Sequence, residues 1–168
     1  MFDVFIGLGS NLGDSANTLL SAIDTLNQHQ QIRVKRLSQF YQSMAIGPGE
    51  QPDYVNAAAH LVTSLPPEDL LDIMQAVENQ HQRERGPVRW TARTLDLDLL
   101  LYADHEINSS RLKVPHPRIN ERNFVLLPLH DLQPSLVFPD GVCLIDLVKQ
   151  TPRTGIAPLM AYPPIDYP

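Results

Sequence analysis

The chain has one cysteine, Cys143, and one tryptophan, Trp90, among 168 residues. A lone cysteine forms no internal disulfide, so a disulfide-stapled scaffold is excluded and a cytoplasmic setting is the default expectation. No run approaches the roughly 20 apolar residues of a membrane span, so no membrane partner is expected. The opening residues, Met1 to Gly9, lack a basic region followed by a long apolar one, and no signal peptide is expected there. Positive charge is also scarce. Lys and Arg number 13 against 19 Asp and Glu, for a formal net charge of −6. General nucleic-acid binding needs a basic surface, so none is expected.

Several catalytic signatures are missing too. The six histidines are scattered, with no HExxH pair and no paired cysteines, which argues against zinc. There is no Gly-x-x-x-x-Gly-Lys-Ser/Thr loop and no kinase-type glycine-rich loop. Gly7-Leu-Gly9 follows a strand but lacks the third glycine of a dinucleotide fingerprint. No Gly-x-Ser-x-Gly elbow is present, and Ser10 and Ser43 have no evident triad.

What is present is one ordinary soluble composition, 43% apolar, and a length that suits a single domain over 1–168. The periodicities predict strands at Val4 to Gly9, Ile32 to Tyr41, Tyr54 to Thr63 and Thr94 to Tyr102. They predict helices at Ser15 to Gln28 and from Pro66-Pro67 onward, with shorter ones at Phe124 to Leu132 and Ile145 to Gln150. Pro128 is expected to be tolerated only near a first turn. The order β-α-β-β-α-β predicts an α+β fold, a ferredoxin-like sandwich with a C-terminal extension and both main helices on one sheet face. Its first and fourth strands are expected to be central neighbours, and the other face is left for a ligand or for the C-terminal third. The tail from Pro152, with Pro158, Pro163, Pro164 and Pro168, is expected to be poorly ordered.

The most informative segment is Arg93-Thr-Leu-Asp-Leu-Asp98. A period of two puts Asp96 and Asp98 on one strand face, where like charges repel unless a cation joins them. Arg83, Arg85, Arg89 and Arg93 crowd the approach, opposed only by Glu84. They read as a solvated loop or as an anion site. Paired carboxylates beside cationic forks suit a divalent ion carrying a polyphosphate, and Mg²⁺ is the expected ion.

Tyr54 and Asn56 share a strand face. They read as surface decoration, or as a stacking platform and an amide for a flat heterocycle. Trp90 is a packing residue, a lid or a nucleobase contact. His116, between two prolines, reads as a structural loop histidine or a site residue. Gln75 and Glu78 taken alone read as a solvated helix face.

Taken together, Gly9-Ser-Asn-Leu12, Gln51-Pro-Asp-Tyr-Val-Asn-Ala57, Arg93-Thr-Leu-Asp-Leu-Asp98, Val114-Pro-His116, Arg122-x-Phe124 and Val137-Phe-Pro-Asp-Gly141 keep their order and spacing over most of the chain. In this the chain resembles the 6-hydroxymethyl-7,8-dihydropterin pyrophosphokinase family of folate biosynthesis. The resemblance implies pyrophosphoryl transfer from ATP to the pterin hydroxymethyl oxygen, with release of AMP. It implies that Asp96 and Asp98 hold two Mg²⁺ ions and that Arg83 and Arg93 meet the triphosphate as catalytic groups. Tyr54 and Phe124 would sandwich the pterin, with Asn56 and groups near Ser43 and Ile46 completing its pocket. Gln75, Glu78, Arg85, Trp90, Arg111, His116 and Arg122 would surround ATP. Thr91-Ala92, Pro117 and Met44-Ala45 depart from the family's usual residues. No nucleic-acid or membrane partner is implied, and a monomer is the default. Two rivals stand beside this reading. One is a non-catalytic sensing module on the same fold. The other is a kinase for a different small alcohol, which would keep the carboxylate pair without needing Tyr54, Asn56 and Phe124 together.

Overall fold

The computed structural model describes residues 1–44, 50–83 and 95–168, with residues 82 and 83 described for their backbone. Strand β1, Phe2–Ser10, is buried on both faces from Val4 onward, with Gly7 only partly so. Its Val4, Ile6 and Leu8 are buried with the two main helices, whereas Phe5 belongs to a second core on the opposite face. Helix α1, Ser15–Asn27, starts at Asp14, whose carboxylate accepts the Asn17 backbone N–H at 3.3 Å and so satisfies one of the orphan donors of the first turn. Leu19, Ala22, Ile23 and Leu26 form its buried stripe.

The strand expected over Ile32 to Tyr41 is two strands, β2, Ile32–Leu37, and β3, Tyr41–Ser43. Ser38 causes the break. Its hydroxyl accepts the Ala58 N–H at 2.9 Å, and its own N–H donates to the Ala58 carbonyl at 2.9 Å. A side chain thus takes the place of a backbone acceptor in the ladder. Strand β4, Tyr54–Thr63, has its expected bounds. Helix α2, Pro67–Arg83, carries Glu68 and Asp69 in its first turn, where the helix dipole favours acids. Strand β5, Asp96–Tyr102, follows. Then come a small ladder of β6, Ile107–Asn108, and β7, Lys113–Val114, helix α3, Asn123–Leu132, and helix α4, Leu144–Gln150. Pro128 lies inside α3 rather than in its first turn. The helix continues past it although the Phe124 carbonyl receives no N–H from that residue.

The tail is not loose. Ile156–Pro158 forms β8 against β3, and Ile165–Asp166 forms β9 against β2. Gln39 Nε2 donates to the Leu159 and Tyr162 carbonyls at 2.6 and 2.9 Å, and Tyr162 stacks on Phe40 at 5.3 Å. Proline-rich composition signals weak local structure, but here the free outer edges of β2 and β3 recruit the tail.

The sheet runs β5-β1-β4-β2-β9, with β3 and β8 added beside the start of β4. Every recorded strand pair is antiparallel. β5 does neighbour β1, but it lies at the end of the row; β1 and β4 are the central pair, because each of the two helical crossovers spans one intervening strand. Helices α1 and α2 cover one face. On the other, α3 packs on β4 and β3, and its Val125, Leu126, Leu127 and Leu129 join Phe5, Ala58, Leu100 and Leu101 in the second core.

Candidate active site

The second face is covered only in part. At the end where β1 finishes and β4 and β5 begin, polar residues replace the apolar ones. Register aligns Asp96 of β5 with Gly9 of β1, Gly9 with Asn56 of β4, and Asn56 with Tyr41 of β3. Asp98 aligns with Gly7. Both carboxylates therefore have a glycine as their cross-strand neighbour. Strands are about 4.8 Å apart, so Asp96 and Asn56 stand roughly 10 Å apart across a position that carries no side chain. A Cβ on Gly9 would come within 3.1 Å of the Asn56 Oδ1. Leu97 and Leu99 point the other way into the main core, which anchors the carboxylate face.

Glu78 of α2 reaches this strand from the helix side. Its Oε1 accepts the Leu97 backbone N–H at 2.7 Å, between the two aspartates. This is not the solvated helix face that its sequence neighbourhood suggests. No periodicity signals such a bond, because it joins residues nineteen apart. Gln75 is exposed on the same helix.

The expected pterin residues gather along β3 and β4. Asn56, 6% exposed, donates from Nδ2 to the Ser43 Oγ at 2.8 Å. That bond fixes the amide plane and leaves the carbonyl oxygen and second N–H for a ligand. Tyr54 is half-buried and sits in register opposite Ser43. Phe124, in the first turn of α3, is half-buried and carries the Arg122 guanidinium 5.4 Å from its ring centroid.

The remaining expected ATP residues are more spread. The His116 N–H donates to the Leu100 carbonyl at 3.0 Å, which holds this loop against β5. Its Nδ1 accepts the Arg118 N–H at 3.2 Å, so the ring also serves its own turn. Arg111 reaches back to α2, with Nη2 2.5 Å from Asp72 and Nη1 3.9 Å from Glu68. The Asp72 carboxylate raises its already high pKa. Ile46, Arg85, Trp90 and Arg93 lie outside the described residues, as does the side chain of Arg83.

Two features have no sequence signal. Tyr41 Oη donates to Asp131 Oδ2 of α3 at 2.7 Å. Burial raises the Tyr41 pKa and Asp131 adds to the effect; burial likewise lifts the Asp131 carboxyl above the usual carboxylate range. Asn11, 1% exposed, donates to the Pro52 carbonyl at 3.4 Å and ties the turn after β1 to the approach to Tyr54. Among the described residues no cluster of three or more His, Cys, Asp or Glu is placed to hold a metal. The two strand carboxylates beside glycine fit a hard cation that keeps oxygen ligands from water or phosphate.

The family model described as 7,8-dihydro-6-hydroxymethylpterin-pyrophosphokinase (HPPK) matches residues 5–134. The chain belongs to this family. A curated relative from Pseudomonas aeruginosa, named 2-amino-4-hydroxy-6-hydroxymethyldihydropteridine pyrophosphokinase, is 43% identical over 153 residues, covering 91% of this chain and 94% of the relative. The Haemophilus influenzae protein of the same name is 42% identical over 150 residues, covering 89% and 93%. Among solved structures, wild-type Plasmodium falciparum HPPK-DHPS superposes with a TM-score of 0.66 at 12% identity, covering 89% of this chain and 43% of that one. The likeness to that longer chain is one of fold. The HPPK match ends at residue 134, so α4, β8 and β9 lie beyond it.

Proposed function

We propose that this HPPK-family chain transfers pyrophosphate from ATP to the hydroxyl of 6-hydroxymethyl-7,8-dihydropterin and releases AMP. The single observation that carries the site assignment is the row Asp96–Gly9–Asn56, a carboxylate and a heterocycle-reading amide separated by a position without a side chain. A pterin seated at Asn56 extends its hydroxymethyl arm toward the carboxylates across that position.

Asp96 and Asp98 are the residues that would hold two Mg²⁺ ions. When bound, they would supply neutralisation of the phosphate charge for attack at the β-phosphorus. The protein's own contribution is placement. Glu78 holds the backbone between the two aspartates, Tyr54 and Phe124 bracket the pterin ring, and Ser43 sets the Asn56 amide. Ile46 completes the pterin pocket. Arg83 and Arg93 supply planar forks for charge that moves in the transition state. Gln75, Arg85, Trp90, Arg111, His116 and Arg122 surround ATP. Arg111 must leave Asp72 to reach the nucleotide, an exposed pair that costs little to break.

The fold is read as the ferredoxin-like split βαβ, which the strand order and the single-sided main helices support. We take 1–168 as one catalytic domain that acts as a monomer in the cytoplasm. In a purified-protein assay, ATP plus the hydroxymethyldihydropterin yields AMP and the pterin diphosphate. ADP in place of AMP would refute attack at the β-phosphorus. Binding without any nucleotide product would favour the sensing module.

A further inference from the structure

We propose that the tail segment 152–158 positions the pterin pocket, and that Asn123 couples the tail to it. The inference rests on the pterin assignment of Ser43, Asn56 and Phe124. It concerns residues beyond the 5–134 span of the family model.

The tail touches two of the three elements that carry pocket residues, α3 and β3. At one side, Asn123 Nδ2 donates to the Pro152 carbonyl at 3.0 Å and to the Thr154 carbonyl at 3.4 Å. Asn123 opens α3 and immediately precedes Phe124. At the other side, the Met44 N–H donates to the Gly155 carbonyl at 3.1 Å, and β8 continues with Ser43 opposite Ile156 and Gln42 opposite Ala157. Gly155 makes the turn between the two attachments with φ of +75°, a conformation that side chains of L-residues resist. The chain thus passes from the start of α3 to the end of β3 within four residues.

This matters because β3 is only three residues long. One edge pairs with β4; among the described residues β8 is the strand that pairs the other edge. Ser43 in turn sets the Asn56 amide at 2.8 Å. The Tyr41–Asp131 bond joins β3 to α3 a second time. Arg153 of the tail bears on that pair, since its charge favours the ionised form of both groups. Asp96 and Asp98 lie on β5 at the far end of the row, separated from β4 by β1. Loosening the tail therefore alters the surface that meets the pterin and leaves the carboxylate pair in place. Asn123 is a positioning residue, acting through Ser43 and Phe124.

The test compares Asn123→Ala and Gly155→Val with Asp166→Ala, which removes the exposed ion pair to Arg36 at the tail's distant β9 attachment. The first two variants raise the KM for the pterin about five- to tenfold, the effect of one ordinary hydrogen bond, with the KM for ATP and kcat unchanged. They also speed hydrogen exchange at the Met44 amide. Asp166→Ala shows none of these changes. An unchanged pterin KM in both variants, parallel rises for both substrates, or an equal effect of Asp166→Ala would overturn the proposal. If the unmodified protein forms no AMP, the functional reading fails instead. The tether is then judged by exchange alone, and unchanged Met44 exchange in both variants overturns it.

Discussion

Glu78 and Leu97 are joined by a 2.7 Å hydrogen bond from the strand N–H to the helix carboxylate, at the residue between the two aspartates. Replacing Glu78 with Ala removes the acceptor of a partly buried backbone N–H, which costs about 1–3 kcal/mol. Glu78→Gln keeps an acceptor. We expect Glu78→Ala to lower both stability and kcat, and Glu78→Gln to restore most of the stability. Urea unfolding and steady-state kinetics measure the two effects. Equal stability of the two variants would refute the anchoring role.

Asp96→Ala and Asp98→Ala should each reduce turnover by several orders of magnitude while the fold is retained. The loss follows if each carboxylate is a ligand of the proposed metal site. Circular dichroism checks the fold, and AMP formation at saturating Mg²⁺ checks the rate. Near-normal turnover in either variant would rule out its metal role.

Tyr54→Ala should weaken pterin binding about tenfold, in line with an aromatic pair worth roughly 0.5–1.5 kcal/mol beyond its buried area. ATP affinity should be unaffected. Isothermal calorimetry separates the two ligands, and an unchanged pterin affinity would remove Tyr54 from the pocket.

Gly9→Ala tests the gap directly. The added methyl group meets the Asn56 Oδ1 at 3.1 Å and forces the amide to shift by a few tenths of an ångström. Pterin affinity should fall while ATP affinity holds. A crystal structure of the variant with an unmoved Asn56 and unchanged pterin binding would contradict the row as the meeting point of the substrates.

Tyr41→Phe changes the alkaline limb of stability. The Tyr41 hydroxyl is held above its ordinary value of 10.0. Its contribution is therefore full below that unfolded-state value and is lost as pH rises through the folded-state one. Burial raises Tyr102 and Tyr167 as well, with the same sign. The variant should be about 1 kcal/mol less stable at pH 8, from the lost bond to Asp131, and should lose less further stability by pH 11 than the parent. Urea unfolding at the two pH values checks this, and parallel losses would refute it.

The main strands and helices are legible in the residue pattern, since β1, α1, β4, α2 and β5 declare themselves through periods of 2 and 3.6 that burial enforces. The pattern also determined that Asp96 and Asp98 share a face, because alternation needs only the local backbone. It pointed to the family, because several short motifs keep one order and spacing. That Ser38 breaks a strand, that Glu78 bonds Leu97, that Gly9 separates Asp96 from Asn56 and that a proline-rich tail is ordered emerge from the folded chain alone. Each of these depends on a partner far away in the chain or across the sheet. Local propensity carries no information about which distant donor will meet which acceptor; register and packing set that once the whole sheet has assembled.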